Sequence, residues 1–351
     1  MERAIRRLAS ASRAALMAAR DPGTVGKAVT HSLGLLRRGG LRLLTHRAKI
    51  AVGDADYQRW LALTEAAAAA DIARGVDFTG AGLAVRPRMS VVMPVYDPEP
   101  AWLDAAIASV VAQSYPDWEL CIADDASREP RVIEMLRAHA AADARIRLLE
   151  RKENGHICRA SNSALGLATG DWVVLLDHDD LLHPRALYWI AAEIAAHPEA
   201  ELIYSDQDKI GPSGRRYAPY FKPEFNADLL LSHNMIGHAA AYRTTTLRAL
   251  GGFRPGYEGA QDYDLALRVV DHAGPARVRH IPRVLYHWRA HDGSTSSAMA
   301  AKPYAIDAAR RAISDQLDRC SGAGGVVQHP ELQGAHRVVY AVQRPAPLIS
   351  A

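Results

Sequence analysis

The chain has 351 residues, with 42 Lys+Arg, 39 Asp+Glu, a formal charge of +3 and 49% hydrophobic residues, proportions that exclude disordered, collagen-like and disulfide-scaffold proteins. Three widely spaced cysteines (Cys121, Cys158, Cys320) form no C-x-x-C pair, which excludes zinc-knuckle spacing and suits a reducing cytoplasm. No apolar run approaches the roughly 18–20 residues of a membrane span, and the N-terminus lacks a signal-peptide h-region.

Residues 1–50 hold eleven Lys/Arg against two acids (Glu2 and Asp21), a balance of +9, and the remaining 301 residues are acidic by −6. At 100° per residue, Ile5, Leu8, Ala15, Leu16 and Ala19 share one arc of a helix and Arg3, Arg6, Arg7, Arg13 and Arg20 the other. A second basic and leucine-rich cluster follows at 33–44. A basic amphipathic helix suits an anionic membrane surface, here the inner face of the cell membrane; a helix packed on the body with solvated arginines is the alternative. No aromatic interleaving supports nucleic acid as a partner.

Residues 51–87 read as a linker, helical over the Ala-rich 55–75 and closed by V-R-P-R (85–88). Strands then alternate with helices over 88–300. Strands are predicted at 90–95, 118–123, 146–150 and 172–177, and helices at 100–114, 130–141, 157–168 and 184–196. Such alternation implies an α/β fold with a mostly parallel sheet flanked by helices, and a ligand site beyond the C-terminal strand ends. That rule singles out Pro94–Asp97, Asp124–Ser127 and Asp177–Asp180.

In L-L-D-H-D-D (175–180), Asp177, Asp179 and Asp180 repel one another unless a cation is near, and a hard divalent ion, Mg²⁺ or Mn²⁺, fits oxygen ligands. Asp180 also reads as a cap of the following helix. In I-A-D-D-A-S (122–127), Asp125 can accept from a base N–H and Asp124 can pair with ribose hydroxyls, although Asp-Asp-x-Ser equally suits a capped turn. The absence of G-x-G-x-x-G and of a Walker A lysine loop argues against a dinucleotide dehydrogenase and a P-loop NTPase. G-Y-E-G-A-Q-D-Y-D-L-A-L-R (256–268) leads glycines into a helix with Gln261, Asp262 and Asp264 in its first turn, as bases or as dipole partners. The strand 281–289 brings His287 and Arg289 ahead of His291 and a polar loop; His287 is a candidate metal ligand and Arg289 a diphosphate clamp.

Taken in order, P-V-Y-D, I-A-D-D-A-S, N-G-H-I-C-R-A-S-N (154–162), G-D-W-V-V-L-L-D-H-D-D and G-A-Q-D-Y-D-L-A-L-R resemble family 2 glycosyltransferases of the GT-A fold, over about residues 88–297. The likeness is greatest to bacterial enzymes of O-antigen and other surface polysaccharides. I-Y-S-D-Q-D-K-I (203–210), Y-F-K-P-E-F (220–225) and V-L-Y-H-W-R further resemble a subgroup associated with rhamnose-containing glycans. The resemblance implies a UDP- or dTDP-sugar donor and a glycan or lipid-linked acceptor. It places Pro94 and Asp97 at the donor site, with Asp125 on the nucleobase, Asp177 on the ribose, and Arg159 and Asn162 lining the same pocket. It also implies Asp179 as metal ligand, with His287 as a third one, and Asp262 as catalytic base within a Gln-Asp pair. Acceptor-side positions are Asp206, Asp208, Lys209, His233 and Asn234. The Q-x-x-R-W motif of processive synthases is absent, so single or limited additions are expected.

Two other functions compete. A sugar-nucleotide pyrophosphorylase would need a Gly-rich basic loop where this chain has P-V-Y-D-P-E-P, and a non-catalytic scaffold of a polysaccharide-assembly complex would not need every acidic position filled. After a predicted helix at 303–319, within a segment 301–320, the tail 321–351 ends with Arg344-Pro345 ahead of Leu348-Ile349-Ser350. That order echoes Arg86-Pro87 ahead of Met89-Ser90-Val91, as if a second transferase domain began there; a plain tail is the alternative.

Overall fold

The computed structural model describes residues 53–290, 303–320, 324–329 and 334–340. The basic arm 1–50, His291 with its polar loop, and the Arg344-Pro345 echo lie outside the described residues. A helix covers 53–73, two residues ahead of the expected 55–75 at each end, and the chain divides into two compact units between Gly75 and Val76. The stretch 76–87 therefore belongs with the larger unit. Phe78 is buried edge-on against Tyr188 and Trp189, and the Tyr115 hydroxyl donates to the Pro87 carbonyl at 2.8 Å.

The larger unit is built on nine strands: β1 (Met89–Val95), β2 (Trp118–Asp124), β3 (Ile146–Glu150), β4 (Trp172–Leu175), β5 (Leu181–Leu182), β6 (Leu202–Ile210), β7 (Arg216–Tyr220), β8 (Ala240–Arg243) and β9 (Val278–Arg289). They run in the order β3-β2-β1-β4-β8-β6-β9-β5, with β7 beside β6. The first four are parallel, as the alternation requires, and β1 is central, pairing with both β2 and β4. Beyond β4 the sheet becomes mixed: β8 is antiparallel to β4 and β6, β9 is parallel to β6, and β5 is antiparallel to β9.

Strand alternation divides the core into two layers. Val91 and Met93 face one layer with Leu103, Ile107 and Val110 of the helix Pro100–Val111 and Leu187 and Ile190 of the helix Ala186–Ala196. Val92, Cys121 and Ala123 face the other, with Cys158, Ala164 and Leu165 of the helix His156–Leu167 and with Leu265 and Val269 of the helix Gln261–Ala273. Helices Pro100–Val111 and Pro130–Ala142 each start on a proline, whose missing N–H costs nothing there. In β9, Pro282 and Arg283 have no partner on β6, so the proline sits in a bulge that needs no donor.

The helix Pro303–Arg319 packs on the helix Gln261–Ala273, and Ile313 is fully buried. The region read as a tail contains a two-stranded antiparallel hairpin, β10 (Gly324–Gln328) with β11 (His336–Tyr340).

Glu119 locks the base of the parallel sheet. Its buried carboxylate accepts from Ser90 Oγ at 2.7 Å, Thr169 Oγ1 at 2.9 Å, Gly170 N at 3.1 Å and Arg88 Nη2 at 3.1 Å. Desolvation alone would raise its pKa, but the Ser90 and Thr169 donors outweigh it and hold the group below its ordinary 4.5. Glu119→Ala is expected to lower the unfolding free energy by about 2–4 kcal/mol in urea titrations, because it strands these donors. A depressed folded pKa stabilises above the unfolded pKa and is lost on acidification. The stability gap between wild type and Glu119→Gln should therefore be full at neutral pH and shrink as pH falls below 4.5.

Candidate active site

Three strand ends meet at one edge of the sheet. β4 delivers the turn Asp177–Asp180, which runs directly into β5. Asp180 is fully buried and accepts from the Tyr286 hydroxyl and the Arg289 N–H, both at 2.6 Å. It does not cap the next helix, which begins at Ala186 behind Arg185 with no side-chain cap. Asp180 thus ties the acidic turn to β9.

The carboxylates strain against one another. Asp177 keeps 40% of its side chain accessible, yet its pKa is pushed up to about 7, first by desolvation among the strand ends and then by Asp179. Asp180 is raised well above its ordinary value by burial and by both neighbours. Ligand atoms of Asp177, Asp180 and His238 all lie within 4.8 Å of one another, a group that could hold a cation. His238 stacks on Tyr286 with centroids 4.6 Å apart and meets the edge of Trp288, and its backbone N–H donates to Gln207 Oε1 at 3.1 Å.

Of the predicted donor-side residues, Pro94, Asp97 and Asp125 lie on two linked turns. Asp97, at φ +41°, accepts from Arg128 N and Nε at 2.6 and 2.7 Å, and its own N–H donates to Ser127 Oγ. Desolvation opposes ionisation of Asp97, but the Arg128 donors prevail and lower its pKa. The buried Asp125 carboxylate accepts from Arg151 Nε at 2.6 Å and Gly155 N at 3.0 Å, while its N–H donates to the Val95 carbonyl. The Pro94 carbonyl meets His178 Nδ1 at 3.2 Å. Arg159 is exposed on the helix His156–Leu167. Arg289 donates through Nε to the Asp179 carbonyl at 2.7 Å and lies over the Trp102 ring, so it braces the acidic turn.

Asn162 does something else. Its amide nitrogen donates to the Phe253 carbonyl at 2.7 Å and its oxygen accepts from Phe253 N at 2.8 Å. The amide clamps the loop that leads to Asp262. Gly252 has φ +70°, and a Cβ there would come within 2.4 Å of Asn162 Oδ1, so only glycine fits.

Asp262 stands in the first turn of the helix Gln261–Ala273. Asn234 Nδ2 donates to Asp262 Oδ2 at 2.8 Å, and Asn234 Oδ1 accepts from Gly237 N at 3.0 Å. The Asp262 charge raises the pKa of Asp177 and opposes the lowering of His238 by burial. The base candidate and the acidic turn therefore share one field.

Other predicted residues lie elsewhere. His287 cannot join the Asp177–Asp180 group: β9 alternation sends Tyr286 and Trp288 to His238, whereas His287 Nδ1 contacts Asp208 Oδ1 at 2.6 Å. Asp208 also accepts from Arg216 Nε at 2.6 Å, and Asp206 accepts from Lys222 N and contacts His280 Nε2, both at 2.9 Å. Both aspartates are buried, which corrects their expected place facing an acceptor. Lys209 lies over Trp288, and the His233 ring contacts the Tyr220 hydroxyl at 2.7 Å, which leaves Asn234 as the acceptor-side candidate that reaches Asp262. His238, Tyr286 and Lys222 went unpredicted. Tyr286 and Lys222 do sit inside quoted motifs, but nothing in sequence flags His238, because its place depends on stacking against β9. Lys222 is buried, donates to the Ile236 and His238 carbonyls at 2.5 Å each, and has its pKa lowered to about 7 by burial.

Residues 90–251 match the profile described as Glycosyl transferase family 2. This domain belongs to glycosyl transferase family 2. The chain is 46% identical over 264 residues to an uncharacterised protein, y4gI, of Sinorhizobium fredii, covering 75% of this chain and 29% of that one. It is 37% identical over 296 residues to the O-antigen biosynthesis protein RfbC of Myxococcus xanthus, covering 84% of this chain and 22% of that one. The chain thus spans less than a third of the length of these relatives. Among solved structures, the mannosyltransferase PcManGT of Pyrobaculum calidifontis, in complex with GDP-Man and Mn²⁺, aligns with a TM-score of 0.52 at 21% identity, over 67% of this chain and 65% of that one. The family 2 domain has the GT-A α/β fold expected from its motifs.

Asn162→Ala is expected to destabilise this domain by about 1–3 kcal/mol in denaturant titrations, since both Phe253 backbone groups lose their partner. Protease cleavage in the 250–256 loop should rise in parallel.

Proposed function

We propose that this chain transfers a sugar from a nucleotide-sugar donor, a UDP- or dTDP-sugar, to a glycan or lipid-linked acceptor in cell-surface polysaccharide biosynthesis, with inversion and with a divalent cation. The observation that carries it is the placement of Asp262, fixed by Asn234 at a helix N-terminus, in the same field as the Asp177–Asp180 turn. The name of the Myxococcus relative supports the polysaccharide setting.

The donor set fits a hard cation. Asp177 and Asp180 offer carboxylate oxygens and His238 an imidazole, and the mutual repulsion of the acids is relieved by positive charge. Asp179 adjoins this group through its charge on both neighbours, while His287 stands outside it. When bound, Mg²⁺ or Mn²⁺ supplies charge neutralisation for a departing diphosphate. Arg289, beside the Asp179 carbonyl, adds a fixed positive charge at the same edge. Asp125, with Arg151 and Gly155, frames the base, and Pro94, Asp97 and Arg159 border the nucleotide. Asn162 serves that pocket through the Phe253 loop.

In the reaction, the acceptor hydroxyl loses its proton to Asp262 as its oxygen bonds to the anomeric carbon. The bond from that carbon to the diphosphate oxygen breaks, and the nucleoside diphosphate leaves with the bonding pair. One base and no covalent intermediate invert the anomeric configuration. The basic arm would keep the domain near anionic lipid on the inner face of the membrane. Among the described residues, no helix is long and apolar enough to cross a membrane.

A donor panel assayed for nucleoside diphosphate release, with Mn²⁺ and with chelator, tests this. Turnover should depend on the cation, and NMR of the product should show the inverted anomer. Asp262→Asn should lower kcat by about 10²–10⁴-fold with the donor KM moved only a few-fold. Turnover by Asp262→Asn within a few-fold of wild type overturns the base assignment.

A further inference from the structure

Beside Asp262 lies a cleft of about 120 Å³, bounded by the start of the helix Gln261–Ala273, the helix Pro303–Arg319 and the β10–β11 hairpin. Its walls are apolar at Ala260, Ala305, Ile306 and Ala309, and its polar side chains are Asp262, Asn234, His336 and Tyr263, whose hydroxyl donates to the Leu230 carbonyl. Gly259 sets its width: at φ +85°, a Cβ there would stand 2.7 Å from Ala305 Cβ.

His336 is the unusual member. It is 2% exposed, and among the described residues neither ring nitrogen makes a well-formed hydrogen bond, the Ile306 backbone approaching the ring only as a weak polar partner. A buried imidazole without well-formed hydrogen bonds opposes folding, and a phenylalanine would fill the same space without that cost. Burial also lowers the His336 pKa, which keeps the ring neutral with one N–H and one lone pair to offer. Apolar walls with a few convergent polar groups are the ordinary composition of a small-molecule site. A sugar ring answers that composition, with C–H faces for the alanine and isoleucine walls and hydroxyls for the polar edge.

We propose that this cleft is the acceptor subsite, in which His336 of the hairpin hydrogen-bonds one hydroxyl of the acceptor's terminal sugar while another hydroxyl meets Asp262. This deepens the transferase reading and rests on it. It also moves the acceptor from the β6 aspartates to the C-terminal hairpin. The terminal hexose or deoxyhexose could belong to a free glycan or to a lipid-linked one, since both present the same hydroxyls.

The test uses the full chain with methyl and octyl glycosides of rhamnose, glucose, galactose and N-acetylglucosamine. Binding is read by saturation-transfer NMR, and acceptor and donor KM values by nucleoside diphosphate release. At least one glycoside should bind wild type; a preference for the octyl series marks a lipid-linked acceptor, and parity marks a glycan. His336→Phe should weaken that binding and raise the acceptor KM by about tenfold or more. Its melting temperature should stay level or rise, the donor KM should move less than about threefold, and His336→Gln should recover part of the acceptor affinity. Unchanged glycoside binding in His336→Phe overturns the subsite, as does a wild type that turns over donor yet binds no glycoside. Loss of binding together with a lowered melting temperature also overturns it, marking His336 as a packing residue. If wild type turns over no donor at all, the transferase reading fails on its own, and glycoside binding still reports on the cleft.

Discussion

One buried carboxylate holds the site together. Asp180 accepts hydrogen bonds from the Tyr286 hydroxyl and the Arg289 backbone N–H, groups more than a hundred residues away in sequence. Three adjacent acids at this strand end repel one another, and the two donors hold Asp180 in place against that repulsion. With them, β9 is bound to the acidic turn, and Arg289 closes on the Asp179 carbonyl. Tyr286, fixed by Asp180, then provides the surface on which His238 stacks.

Other parts of the site follow from this arrangement. Placed on Tyr286, His238 brings an imidazole toward Asp177, and Lys222 anchors the same turn through the carbonyls of Ile236 and His238. That turn carries Asn234, which fixes Asp262. A chain of contacts therefore runs from the acidic turn through β9 and the 234–238 turn to the helix that bears the base candidate. Asn162 approaches from the opposite side and secures the loop ahead of that helix.

The first half of the fold could be read from the chain because its signals are local. S-V-V-M-P-V, W-E-L-C-I-A and I-R-L-L-E are short apolar runs separated by helical periodicity, and each lies within a residue of its strand. The second half could be read only in part: the helix that opens at Gln261, the strand that ends at Arg289 and the helix 303–319 were legible, but the short strands were not. β5 has two residues and β8 four, too few to show a period, and their antiparallel pairing with β9 and β4 comes from non-local contacts. The hairpin β10–β11 looked like a tail because its glycines obscure the strand pattern. At the site, a motif identifies residues near a ligand but not where each side chain points. In β9 the period of two separates Tyr286 and Trp288 from His287, so the histidine expected from chemistry and from the family resemblance meets Asp208 and not the acidic turn.

Charge placement and strand-end position belong to the sequence. The acids at 124–125 and 177–180 follow apolar runs, Asp262 opens an amphipathic helix, and the surplus of bases is confined to the first fifty residues. These features depend only on neighbours along the chain, so composition and periodicity reveal them. Which acids remain available was decided by tertiary structure. Asp206 and Asp208 have the same side chain as Asp177, but burial beside Lys222, His280, Arg216 and His287 satisfies them, whereas Asp177 stays partly open. A carboxylate's role is set by who donates to it and how much water it keeps, and both are properties of packing.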